Sequence, residues 1–102
     1  MRKIYFEVDV LAKVNPERVP LEDLYLVGPD GADIEFSDIK EWSVSSSGLR
    51  RNLNLRFEAM ARADEDLEFG AWARGIRCYR ETEDGPKRVN TKVNEVRVTN
   101  SR

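Results

Sequence analysis

Leu53-Asn54-Leu55-Arg56-Phe57-Glu58-Ala59-Met60-Ala61-Arg62 decides the fold class of this chain. Leu53, Leu55, Phe57, Ala59 and Ala61 fall on one side of an extended backbone. Asn54, Arg56, Glu58, Met60 and Arg62 fall on the other. A period of two is the mark of a strand with one face buried and one wet. Asp64-Glu65-Asp66 interrupts the pattern. Leu67, Phe69, Ala71 and Ala73 then resume it against Glu68, Gly70 and Arg74. The reading is a long hairpin from Leu53 to Glu81 closed by an acidic turn. After Gly75 the apolar residues move to even positions, Ile76 and Cys78. A bulge at Arg74-Gly75 accounts for that slip, because one inserted residue reverses side-chain parity and glycine accepts the backbone it needs. Trp72 then lies on the outward, polar face.

Working outward, Ile4, Phe6, Val8 and Val10 alternate with Tyr5, Glu7 and Asp9, which predicts a strand over Lys3–Val14. Pro16 and Pro20 break the chain, and Pro20–Leu24 allows a short helical turn. Leu24–Val27 and Ala32–Phe36 flank Gly28-Pro29-Asp30-Gly31, a strong turn signal, so they read as a hairpin. Ile39–Val44 reads as a strand with Trp42 and Val44 on its buried side. Ser45-Ser46-Ser47-Gly48 reads as a loop. Glu83–Lys87 is a polar turn, and Val89–Thr99 is a closing strand whose phase change predicts a second bulge near Asn94-Glu95. Six or seven mostly antiparallel strands with almost no helix imply an all-β domain. A single small β-sandwich (immunoglobulin-like or similar) or a closed barrel is expected over residues 1–102.

Leu55, Phe57, Met60 and Asp64 are spaced in a way that resembles the run before the last conserved cysteine of immunoglobulin domains. The tyrosine and cysteine that should follow are replaced by Glu68 and Gly70, so the likeness extends to architecture at most.

Composition excludes more than it assigns. The 102 residues include one cysteine and no histidine. That removes an intrachain disulfide, the Ser-His and Cys-His nucleophiles, and a structural zinc site. Cys78 reads as a buried thiol. Asp64, Glu65, Asp66 and Glu68 crowd one turn rather than facing each other across a cleft, as glycoside hydrolysis requires. No glycine-rich phosphate loop or dinucleotide fingerprint is present. The acidic residues around the first turn lack the offsets of a calcium loop. No catalytic, cofactor or metal residues are therefore expected. No apolar run reaches the ~20 residues of a membrane helix, and no signal-like start is seen, which leaves a cytoplasmic chain as the expectation.

Net charge is −2, but residues 1–49 hold 10 acidic and 5 basic residues, and residues 50–102 hold 9 acidic and 12 basic. Arginine outnumbers lysine 12 to 5. The candidate interaction surface is an outer strip of Arg56, Met60, Arg62, Trp72, Arg74, Arg77 and Tyr79, since tryptophan, tyrosine and arginine dominate binding hot spots. The sequence points to a non-enzymatic module that binds another protein or itself: a small inhibitor, an adaptor or a self-assembling subunit, of the kind phages encode. The alternative is a barrel binding single-stranded nucleic acid, with the cations on phosphates and the rings on bases.

Overall fold

A computed structural model describes residues 2–47, 50–63 and 72–100. Its strands are β1 (Arg2–Ala12), β2 (Leu24–Val27), β3 (Asp33–Ser47), β4 (Arg50–Ala63), β5 (Arg77–Arg80), β6 (Lys87–Val89) and β7 (Thr91–Asn100). A 3-10 turn at Leu21–Asp23 precedes β2, where the prolines allowed one. The strands form two antiparallel sheets, in the orders β3-β4-β1-β7 and β2-β5-β6. Among the described residues no ladder joins the two into a closed ring.

The opening stretch is the centre of the larger sheet. Leu53, Leu55 and Phe57 are at most 1% exposed, and their partners on β1, namely Ala12, Val10 and Val8, are equally buried. Buried Leu24, Leu26, Cys78 and Val89 of the smaller sheet belong to the same apolar cluster. Each strand of both sheets therefore turns one side to a common core.

Several expected connections are corrected. β4 does not pair with a second arm, because its neighbours are β1 and β3. Residues 64–71, which include the acidic turn and Leu67–Ala71, lie outside the described residues. Trp72 to Gly75 form a helical turn instead of a bulged strand, with the Gly75 N–H donating to the Trp72 carbonyl at 2.9 Å and the Ile76 N–H to that of Ala73 at 3.2 Å. A helical turn shifts parity as a bulge does, so Ile76 and Cys78 are still buried. β2 and β3 do not form a hairpin either. β2 pairs with β5, and the Gly28–Gly31 turn carries the chain from one sheet to the other. Gly31 there has φ of 80°, a conformation that costs glycine little.

β3 is one continuous strand that takes in both the second half of the expected hairpin and the Trp42 segment, and it extends through the serines read as a loop. Two register shifts, between Phe36 and Ile39 and between Ile39 and Glu41, hold its apolar residues to the inner side. The Ser37 hydroxyl accepts from the Glu58 N–H at 2.9 Å, replacing a ladder bond lost at the first shift. The expected Val89–Thr99 strand is cut at Asn90, where the chain changes sheets. The bulge near Asn94 is present: Val93 pairs with Val10 and Glu95 with Asp9, skipping one residue. No helix among the described residues is long and apolar enough to cross a membrane.

Candidate interaction surfaces

The seven residues of the expected strip fall in separate places. Arg56, Met60 and Arg62 do share the outward face of the larger sheet, as β4 alternation requires. Arg77 and Tyr79 lie on β5, outward from the smaller sheet, because Cys78 between them is buried. Arg74 is exposed on the helical turn. Trp72 is not on an outer face. It is half-buried, and its ring meets that of Phe6 edge-on at 5.1 Å and 85°. The helical turn rotates it inward, where a continuing strand would have pointed it out.

The outward face of the larger sheet is not a cationic strip. Arg56 lies centrally, its Nε 2.9 Å from Asp9 and its Nη1 3.1 Å from Glu41, with Glu7 at 3.9 Å. These carboxylates raise the Arg56 guanidinium above its ordinary pKa, the hydrogen bond to Asp9 contributing most. Arg97 on β7 binds Glu7, which raises its pKa in the same way. Arg62 reaches Asp33 at 3.3 Å and Glu35 at 3.5 Å, and Lys40 reaches Glu58 at 3.6 Å. These four cations are each matched across strands, which reduces the field available to attract a polyanion. On the smaller sheet, Arg77 bonds Asp30 at 3.0 Å. The Tyr79 ring stacks on Tyr25 at 6.0 Å.

Two features were not singled out by sequence reading. The first is Trp42. Its cross-strand partner is Leu55, so it does point to the inner side, as alternation predicts. Yet it is 56% exposed, and Val44 beside it is 44% exposed. Both were expected in the core. The smaller sheet's strands run only 4, 4 and 3 residues, against 10 to 15 in the larger. They end before this part of β3 is covered. Below Trp42 lies a hollow of about 350 Å³ bordered by Leu21, Leu24 and Ile39 and also by Glu22 and Asp38.

The second is a basic cleft of about 360 Å³ between the segment after β1 and the β5-β6 hairpin. Lys13, Arg18, Arg80, Lys87 and Arg88 border it. Among the described residues none of the five forms an ion pair. Scattered over three sequence segments, they carry no motif that could have announced them.

Cys78 is fully buried, and burial pushes its thiol up to about 11. It is therefore protonated at neutral pH and a poor nucleophile. Comparison of the chain with family models, with curated proteins and with solved structures returns no match.

Proposed function

We propose that the chain is a small non-enzymatic binding module, built as a two-layer β-sandwich, that associates with a second copy of itself through the edge of β3 left open among the described residues. One observation carries this reading: Trp42 and Val44 stand exposed on the inner side of an edge strand whose Glu41–Ser47 stretch is straight and regularly paired on its other flank. An edge strand offers free backbone donors and acceptors to any strand laid beside it. A large exposed tryptophan beside a partly apolar hollow is the kind of anchor that makes such pairing specific.

The stretch is self-complementary. An antiparallel pairing about a two-fold axis at Val44 sets the two Val44 side chains against each other. It also sets Trp42 opposite the partner's Ser46. Ser46 is small, and its neighbour on β4 on the same face is Arg51. Trp42 can then extend over the serine toward the partner's Arg51, which is already oriented by Glu17 at 2.9 Å. A guanidinium over an indole face is favourable by roughly 0.5–1 kcal/mol at an exposed site, and symmetry repeats the contact. Glu41, the one charged residue of the stretch, meets no like charge.

The nucleic-acid reading has less behind it, because Trp72 is turned inward and Arg56 and Arg62 are held by carboxylates. Sedimentation velocity over a wide concentration range tests the proposal. The wild-type chain is expected to approach twice the monomer mass as concentration rises. Val44→Lys, which places two ammonium groups at the axis, is expected to remain monomeric and folded. A wild-type chain monomeric at every concentration would overturn the self-association.

A further inference from the structure

We infer that the cleft between the segment after β1 and the β5-β6 hairpin is a binding site for a compact polyphosphate. The inference is independent of β3 and of any dimer.

Five cations border a space of about 360 Å³, with no carboxylate among the lining residues. Arg51, Arg56, Arg62, Arg77 and Arg97 have carboxylate partners, whereas these five, gathered around one space, have none among the described residues, although the chain as a whole is acidic. The nearest acid in sequence to Arg18 is Glu17, and its carboxylate is committed to Arg51. Like charges gathered without counter-charges repel one another. Such a cluster stays unfavourable until an anion enters, so part of the binding free energy is the relief of that repulsion.

The walls are held in place without a ligand. The Lys13 N–H donates to the Asn90 carbonyl at 2.9 Å, which ties the segment after β1 to the end of β6. The Asn15 side chain accepts from the Glu17 N–H at 3.0 Å, and the Asn15 carbonyl accepts from the N–H groups of Arg18 and Val19, fixing the turn that carries Arg18. Buried Val19 and Val89 anchor the two walls in the core. Arg80 and Lys87 are direct cross-strand partners on one side of the hairpin, so their separation is set by the ladder and not by loose side chains alone. Arg88 is opposite Tyr79 and belongs to the other side, bordering the cleft from there.

The ligand class follows from size and lining. The volume suits a small molecule. Arg18 and Arg80 can fork onto phosphate oxygens, and Lys13 and Lys87 can add point charge. No aromatic residue lines the cleft, so it lacks the stacking platform that a binder of single-stranded nucleic acid uses. A chain of phosphates fits better than a base. Arg88 also borders a neighbouring hollow of about 450 Å³ with Arg74 and Lys92, but Glu95 intrudes there.

Calorimetry with inorganic tripolyphosphate, a nucleoside triphosphate, oligoglutamate and single-stranded DNA of two lengths tests the assignment. Tripolyphosphate is expected to bind one per chain, more weakly as salt rises. The nucleoside triphosphate should be no tighter than tripolyphosphate, whether the source of the phosphates is a nucleotide or an inorganic chain. The double variant Arg80→Gln/Lys87→Gln should weaken binding at least tenfold. The double variant Arg56→Gln/Arg62→Gln, which removes the same charge from the far ladder, should bind like wild type. Backbone amide shifts on titrating the wild-type protein should localise to residues 13–19 and 80–90, a readout that holds even if a variant misfolds. Val44→Lys should bind as wild type, so failure of the dimer and failure of this site are separable. Absence of tripolyphosphate binding at low salt, equal losses in the two double variants, or tighter binding of oligoglutamate or of longer DNA than of tripolyphosphate would each overturn it.

Discussion

The inner face of the larger sheet ends differently at its two tryptophans. Near Phe6, the chain returns as a helical turn and lays Trp72 against the core. Near Leu55, nothing among the described residues closes over Trp42. Both side chains belong to the same side of the domain, and both are large and apolar. What separates them is the extent of the opposing layer, so an inward-pointing residue and a buried residue are distinct things in a sheet whose cover is shorter than itself.

The largest expected contrast comes from truncating each tryptophan. Trp72→Ala should lower unfolding free energy by about 3 kcal/mol, since it opens a void against Phe6. Trp42→Ala, measured by denaturant titration at concentrations where the chain is monomeric, should change it by less than ~0.5 kcal/mol. Equal losses would mean that the β3 end is covered after all.

A somewhat smaller effect probes the covered side through pH. Burial raises the Cys78 thiol from 9.0 to about 11. Between those values the unfolded chain releases its thiol proton while the folded chain keeps it, so the unfolded form binds fewer protons and stability falls as pH rises. The loss should begin near pH 9 and reach about 2–3 kcal/mol by the folded pKa and above. It should be missing from Cys78→Ala when the two proteins are compared over that range by chemical denaturation. A wild-type curve parallel to that of the variant would show that the thiol is not shielded.

The smallest contrast concerns charge. Arg56→Gln should reduce the melting temperature slightly at low salt and less at high salt, because it leaves Asp9 and Glu41 unmatched. Arg88→Gln should leave melting unchanged or raise it, because it relieves repulsion around the cleft. The opposite order would contradict the division into matched and unmatched cations.

Much of the architecture was legible in the sequence. β1 and β4 announced themselves because a strand with one wet face writes its period into every second residue. The bulge at Asn94 was visible because a parity change leaves a trace. The partnerships were less legible. Gly28–Gly31 has the chemistry of a tight turn, and that chemistry is the same whether the chain doubles back on its own sheet or crosses to the other. The parity slip at Gly75 was equally ambiguous, since a helical turn and a bulge both reverse the count; only the turn brings Trp72 to Phe6. Arg56 and Arg62 were placed on the correct face, but their matching depended on Asp9, Glu41, Asp33 and Glu35 arriving from strands distant in sequence. The basic cleft was hidden for the same reason.

The register shifts in the two outer strands of the larger sheet set how far any assembly could grow. β7 is interrupted twice, leaving no more than four consecutive paired residues, and the first half of β3 is broken in the same way. Only Glu41–Ser47 offers seven in a row. A sheet with two straight margins can add neighbours on both sides without limit and become a fibre. Among the described residues the larger sheet has a single long regular margin, so the pairing proposed through β3 would use it up and stop at two copies.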